Sequence, residues 1–190
     1  MAEEVISTAP DKSKSFFKSF LLTGLLAGTL DATAAMVQFM IKNNGGNPLK
    51  VWRYVASGAL GQDVMSKDLV TVAMIGLLFH FLIAFSFTLI FFLVFPKIKI
   101  LSKNLFATGL LYGIFVWIVM NLLVVPLSSV TSKGKLWATI TNPDGTTHTV
   151  LQFPPNPTQM IIGILIIMFC VGLPVSLLTG RYYSKLTFPH

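Results

Sequence analysis

The chain has 190 residues, of which 54% are hydrophobic and only 11% are charged. Soluble globular domains carry about a quarter charged residues, so these charges are too few to cover a water-facing surface. The formal net charge of +7 does not indicate nucleic-acid binding, because the lysines stand between apolar blocks and no basic patch interleaved with aromatic residues is present.

Four apolar blocks follow one another along the chain, and each is long enough to cross a bilayer. A helix needs about 20 residues to span a hydrocarbon layer of about 30 Å, whereas a membrane barrel would show shorter segments of alternating hydrophobicity. The sequence therefore predicts an all-α membrane protein, a single-domain four-helix transmembrane bundle behind a flexible N-terminal tail over 1–15. The predicted spans are 16–41, 69–95, 105–126 and 159–179.

The first block has an alternative interpretation as a secretory signal peptide. Basic residues precede it, and Ala32, Thr33 and Ala34 supply small residues at the spacing of a cleavage site. Hydrophobicity resumes after these residues and continues to Ile41, which makes the segment too long for a signal core. We therefore expect an uncleaved spanning helix.

Four spans place the N-terminus, the 95–104 loop and the C-terminus on one side of the membrane. That side carries eight of the 14 Lys and Arg residues, all in short stretches, and the other side carries six in two longer loops. The positive-inside rule therefore predicts that both termini are cytoplasmic.

The two longer loops have different patterns. Residues 48–61 place their apolar side chains, Trp52 among them, on one helical face, which predicts an interfacial amphipathic helix. A re-entrant gate is the alternative for this segment. Residues 134–153 contain two strand-like runs around a turn sequence, which predicts a small outer β-hairpin.

Two ionisable residues lie inside apolar blocks. Such a residue costs about 2.5 to 3.5 kcal/mol near a helix centre, so it is expected to face the bundle interior. Asp31 is 11 residues before Lys42, and His80 is 11 residues after Leu69. A rise of about 1.5 Å per residue then puts both at a depth of about 16 Å. We therefore expect Asp31 and His80 to meet at one height.

Small residues share the helical faces of these two groups. Gly24 and Gly28 lie on the Asp31 face of the first block, and Gly76 lies on the His80 face of the second. Because small residues let membrane helices approach closely, we predict close helix packing at these three glycines and at Gly113 of the third block. The GxxxG pattern of Gly24 and Gly28 has a dimer motif as its alternative.

Two amides and one thiol extend the predicted polar centre. Gln38 and Asn121 are expected above Asp31 and His80, and the four together form the proposed buried polar centre. The single cysteine, Cys170, lies 11 residues after Gln159, in the same estimated layer. Asp31, His80 and Cys170 are only weak candidates for a metal site, because no short-range ligand spacing accompanies them. No metal and no cofactor are expected.

Three functional hypotheses remain open. The first is proton- or ion-linked transport or permeation through the Asp31 and His80 centre, and the second is a non-catalytic accessory or assembly subunit in which this pair is structural. The third is a membrane-embedded lipid-processing enzyme, which trails because no familiar catalytic motif is present. The expected partners are the lipid bilayer and either further copies of the chain, as a homo-oligomer, or a membrane protein partner.

The strings GLLAGTLDATAA, RYVASGALG and GLLFHFLIAFSF resemble uncharacterised small bacterial inner-membrane proteins of four helices. The resemblance covers the first two blocks and the loop between them. The positions that match are Gly28, Asp31, Ser57, Gly58 and His80. It implies a four-helix fold in the bacterial inner membrane and nothing about chemistry.

Overall fold

The computed structural model describes residues 12–129, 137–141, 145–151 and 157–187. Its α-helices are α1 (Lys12–Lys42), α2 (Leu49–Leu60), α3 (Leu69–Val94), α4 (Leu105–Val119), α5 (Val125–Leu127), α6 (Pro157–Ile167) and α7 (Leu173–Thr187). Short 3-10 turns cover Gln62–Ser66, Phe95–Lys97 and Lys99–Ser102. The π-helical turns Met120–Val124 and Met168–Gly172 join α4 to α5 and α6 to α7, so each pair forms one continuous helix.

Four of the described helices are long and apolar enough to cross a membrane: Ser13–Lys42, Leu69–Lys97, Leu105–Val124 and Pro157–Leu186. The prediction of four spanning helices is confirmed, and the chain is an integral membrane protein. Large apolar side chains on the outside of the bundle fit lipid contact, since Leu78 and Leu111 are 68% and 67% exposed.

The ends of the first and last spans differ from the prediction. Helix α1 begins at Lys12, so the last four residues of the predicted flexible tail are helical, and α7 continues to Thr187 rather than ending at 179. The end of an apolar block shows where contact with lipid ends. A helix can continue beyond that point where its last turns make further contacts. The last turns of α7 are supported by Tyr183, whose hydroxyl donates to the Phe92 carbonyl at 2.9 Å.

Two spans begin at side-chain caps. Asp68 accepts a hydrogen bond from the Thr71 backbone N–H at 2.8 Å, and Asn104 accepts one from Ala107 at 3.1 Å. These are the residue types that satisfy the free N–H groups of a first helical turn. The hydrogen bond from Thr71 also holds the pKa of the Asp68 carboxyl below its ordinary value.

The spans alternate in direction, which gives the bundle two distinct ends. At the terminal end, the Phe16 ring of α1 lies 6.0 Å from the Tyr182 ring of α7. At the loop end, where α1 ends and α6 begins, Gln38 Nε2 donates to Gln159 Oε1 at 3.5 Å. The second span runs opposite to the first, because Gly24 faces Phe85 and Gly28 faces Phe81. The third runs opposite to the fourth, because Gly109 meets Leu173 and Gly113 meets Met168.

Glycines hold the third and fourth spans together. A Cβ on Gly109 would lie 2.9 Å from the Leu173 Cα, and a Cβ on Gly113 would lie 2.9 Å from the Met168 N and closer still to its Cα. On the opposite helix, Gly172 faces the backbone of Gly109 and Gly113. Backbone thus meets backbone here, which is the contact that small residues permit between membrane helices.

Glycines also set the packing around α3. Gly24 and Gly28 of α1 face the rings of Phe85 and Phe81, and Gly76 of α3 faces the backbone of Trp52 in α2. Trp52 is buried in this contact. Gly76 lies seven residues into α3, so α2 packs beside the span about 10 Å from its beginning. The interfacial position of residues 48–61 stays a prediction.

Two short strands lie between α5 and α6. Strand β1 (Trp137–Thr141) pairs antiparallel with β2 (Thr147–Leu151), in the register Thr139 to Thr149. The segment between them at 142–144 and both flanks lie outside the described residues. The outer hairpin over 134–153 therefore stays a prediction as a whole.

Replacing Gly113 by Ala should destabilise the bundle. The added methyl group would overlap the backbone of the opposite span, and overpacking of this kind costs about 1 to 3 kcal/mol. Gly163→Ala is a matched control, because its Cβ would meet only Trp117 Nε1 at 3.4 Å. Thermal unfolding in detergent should show a lower midpoint for Gly113→Ala than for Gly163→Ala. Equal midpoints would contradict the backbone contact.

Candidate functional site

A cavity of ≈ 270 Å³ lies between the spans. Its walls come from α1, α2, α3, α4, the first π-helical turn, α5 and the fourth span. All four residues of the predicted polar centre line it, namely Asp31, Gln38, His80 and Asn121. We refer to this space as the polar cavity.

His80 is anchored on the α1 side of the polar cavity. Its Nε2–H donates to the Gly28 carbonyl at 2.9 Å, which requires a proton on Nε2 because a carbonyl oxygen only accepts. The ring packs against Trp52 with centroids 5.1 Å apart and against Phe81 at 5.4 Å. One ring nitrogen and both neighbouring rings therefore hold the imidazole in place.

Asp31 is close to His80 but does not bond to it. The two side chains line the same polar cavity, yet His80 makes its hydrogen bond to Gly28 instead. Within the described part of the chain, no donor forms a hydrogen bond or ion pair with the Asp31 carboxylate. Asp31 is half-buried and lines the polar cavity. Its carboxyl group thus faces open space and is not held by a fixed partner among the described residues.

The two amides stand at the entrance of the polar cavity. Asn121 lies in the π-helical turn Met120–Val124 and donates from Nδ2 to the Trp117 carbonyl at 2.9 Å. Gln38 is held by its hydrogen bond to Gln159. Both residues also line a second cleft of ≈ 730 Å³ at the loop end. The shared walls make the two spaces neighbours, with Gln38 and Asn121 between them.

We call the second cleft the vestibule. Three cationic side chains line it, Lys42, Lys50 and Arg53. Arg53 is oriented by the bond from its Nη1 to the Met65 carbonyl at 3.1 Å, and its buried Nε has no hydrogen-bond partner among the described residues. The polar cavity is therefore approached from the loop end through a positively charged space.

Aromatic side chains cluster toward the terminal end of the bundle. The Phe92 ring lies 5.6 Å from Phe16, 6.2 Å from Phe20 and 5.9 Å from Tyr182. Phe20 also contacts Phe85 at 5.6 Å. These rings fill the space below the polar cavity between α1, α3 and α7.

A tyrosine bridges α3 and α4 at the floor of the polar cavity. Tyr112 donates from its hydroxyl to the Phe87 carbonyl at 2.7 Å, and its ring lies 4.5 Å from that of Phe91. Phe87 lines the polar cavity, whereas Tyr112 and Phe91 line an apolar groove of ≈ 530 Å³ on the terminal side. The bridge thus separates two spaces along the seam between α3 and α4.

Cys170 lies in the π-helical turn Met168–Gly172 and is half-buried. Its thiol does not line the polar cavity. Among the described residues, no group of three or more His, Cys, Asp or Glu side chains is arranged to hold a metal ion. Asp31, His80 and Cys170 are therefore not brought together as ligands.

Several contributors to the site were not singled out from the sequence. Lys42, Lys50 and Arg53 stand between apolar blocks in the sequence, and their convergence depends on how α2 folds back beside α1. Tyr112 carries no signal within an apolar block. Both π-helical turns, which are frequent at functional sites, depend on tertiary packing and leave no pattern in the composition.

Comparisons with protein-family models, with curated proteins and with solved structures find no match to this chain. The resemblance to small bacterial inner-membrane proteins stays a prediction. The function must therefore be argued from the site itself.

Replacing His80 by Leu should lower the stability of the fold. The change removes the donor to the Gly28 carbonyl, and a hydrogen bond of this kind contributes about 1 kcal/mol. His80→Gln is the control, since its amide can donate from nearly the same position without a titratable ring. We expect a lower unfolding midpoint in detergent for His80→Leu and partial recovery for His80→Gln. An unchanged midpoint for His80→Leu would rule out the anchoring role.

Proposed function

We propose that this protein is a proton-linked membrane carrier whose exchange site is the polar cavity. The observation that carries the proposal is the position of Asp31. Its carboxyl group lines a cavity inside the bundle without a hydrogen-bond donor among the described residues, and His80 lines the same cavity. A group of this kind is suited to take up and release a proton.

The energetics of the membrane support this proposal. Holding a charge at a helix centre costs about 2.5 to 3.5 kcal/mol, and a purely structural pair would offset that cost by bonding directly. Here His80 bonds to Gly28, and Asp31 faces the cavity. Intramembrane acids and histidines with such access are typical of proton relays.

One-sided access favours a carrier over an open pore. The polar cavity neighbours the vestibule at the loop end. Toward the terminal end it meets the Tyr112 bridge and the aromatic cluster around Phe92. A path that is open on one side and closed on the other is the arrangement required for alternating access.

Four spans are few for a complete carrier, so we propose that it functions as a homo-oligomer or beside a membrane protein partner. We place it in the bacterial inner membrane with both termini in the cytoplasm, on the basis of the sequence resemblance and the distribution of basic residues. The vestibule would then face the opposite side of the membrane.

An accessory subunit is the second candidate function. The anchoring of His80 by Gly28, Trp52 and Phe81 favours it, because these contacts fix α1, α2 and α3 in one arrangement. In such a subunit the titratable groups would serve packing alone. The two candidates differ in whether a proton crosses the membrane.

Asp31→Asn should abolish proton movement while leaving the fold intact. The amide keeps the size of the carboxyl group but cannot take up a proton at Asp31. We expect reconstituted wild-type protein to produce a pH-dependent proton flux, measured with a pH-sensitive dye inside liposomes, and Asp31→Asn to reduce it at least tenfold.

Asp63→Asn is the matched control, because Asp63 is an exposed carboxylate in the turn Gln62–Ser66. Its flux should equal that of the wild type. A normal flux in Asp31→Asn would contradict the proposed role of Asp31. A well-folded wild-type protein without any flux would favour the accessory subunit.

A further inference from the structure

We propose that the vestibule is a binding site for an oxyanion, a phosphate or a carboxylate group. The inference rests on the proposed function and deepens it, since it names the class of molecule that enters together with the proton. It is carried by the charges that line the vestibule and by the geometry of Arg53.

The vestibule has a one-sided charge. Among the described residues, its lining includes Lys42, Lys50 and Arg53 and no Asp or Glu. The two described carboxylates of the same loop, Asp63 and Asp68, lie outside the lining, and Asp68 is engaged as the cap of Thr71. A concave surface lined by one sign of charge concentrates ions of the opposite sign. Cations are correspondingly disfavoured.

Arg53 supplies a guanidinium that is held in one orientation. The bond from Nη1 to the Met65 carbonyl fixes it, and Nε is buried, so the Nη nitrogens are the donors available to a ligand. A planar guanidinium matches the geometry of phosphate and carboxylate oxygens better than an ammonium group does. Lys42 and Lys50 are exposed, so they can adjust to a ligand that Arg53 orients.

The remaining walls fit a molecule with an apolar part. Phe39, Val51, Trp117 and Met160 line the vestibule beside the cations, and its volume of ≈ 730 Å³ falls within the range of about 300 to 1,000 Å³ found for small-molecule sites. Gln38, Asn121 and Gln159 add neutral hydrogen-bonding groups. The oxyanion can therefore belong to a free small molecule or to a lipid headgroup.

Coupling to a proton would help an anion from the vestibule to enter the bundle. Moving a bare anion into a low-dielectric interior is costly. A proton held by Asp31 or His80 lowers that cost, because the anion and the proton together carry less net charge than the anion alone. The vestibule and the polar cavity share Gln38 and Asn121, so the two ligands would lie in adjoining spaces.

The test is a binding measurement on the full-length protein in a neutral detergent. Isothermal titration calorimetry would use inorganic phosphate, dihexanoyl phosphatidic acid and, as a zwitterionic comparison, dihexanoyl phosphatidylcholine. We expect the two anionic probes to bind and the zwitterionic probe to bind at least tenfold more weakly. Added salt should weaken anion binding, because it screens exposed charges.

Arg53→Gln and Lys50→Gln should each weaken anion binding about tenfold, as expected for the loss of one charged contact. Lys67→Gln is the matched control, because Lys67 is an exposed cation in the same loop that does not line the vestibule. If Arg53→Gln fails to fold, Lys50→Gln still tests the site.

The outcomes separate the sources of the oxyanion. Binding of inorganic phosphate supports a free anion, and binding of phosphatidic acid alone supports a lipid headgroup. The inference is overturned if neither anion binds to the folded protein, if phosphatidylcholine binds equally well, or if both vestibule variants bind like the wild type.

The binding measurement and the proton-flux measurement can fail independently of each other. Asp31→Asn should still bind the anionic probes, since Asp31 does not line the vestibule. A wild-type protein that binds phosphate but shows no proton flux would end the carrier proposal and leave the oxyanion site in place. Proton flux without binding of either anion would overturn the oxyanion site and leave the carrier proposal in place.

Discussion

A bilayer accepts a carboxylate and an imidazole only where protein surrounds them, and this constraint organises the interior of the bundle. Helix contacts at glycines satisfy it. Close approach at Gly28 brings His80 to a backbone carbonyl of α1, and close approach at Gly76 brings Trp52 onto the imidazole ring. The polar cavity is the space left beside these contacts, and Asp31 lines it from α1. The polar cavity adjoins the vestibule at the loop end, and the two spaces share Gln38 and Asn121.

The parts of the fold that depend on composition were predictable. Four apolar blocks gave the four spans, because only a helix satisfies its backbone groups within lipid. Equal distances from the ends of two antiparallel helices, together with helical periodicity, were enough to group Asp31, His80, Gln38 and Asn121, which line one cavity. Charged and amide groups are rare within membrane helices, so each one indicates which side of its helix faces the interior of the bundle.

Contacts that depend on irregular backbone were not predictable. The hydrogen bond from His80 goes to a backbone carbonyl, and every residue offers such an acceptor, so its choice leaves no sequence pattern. The π-helical turn Met168–Gly172 packs on α4 at Gly109 and Gly113, and nothing in the composition marks such a turn. The vestibule depends on the path of α2, whose cations resemble ordinary interfacial anchors when they are considered one by one.

Access to the polar cavity from the loop end is the claim on which both proposals depend. In a Cys170→Ser background, Ala84→Cys would place a thiol in the wall of the polar cavity, and Leu82→Cys would place one on the exposed outer surface, where Leu82 is 60% exposed. The measurement is labelling in sealed vesicles of each orientation by an anionic, membrane-impermeant thiol reagent. We expect Ala84→Cys to react only from the side of the loop between α1 and α2, and Leu82→Cys to stay unlabelled. Labelling of Ala84→Cys from the terminal side, or from neither side, would contradict the account.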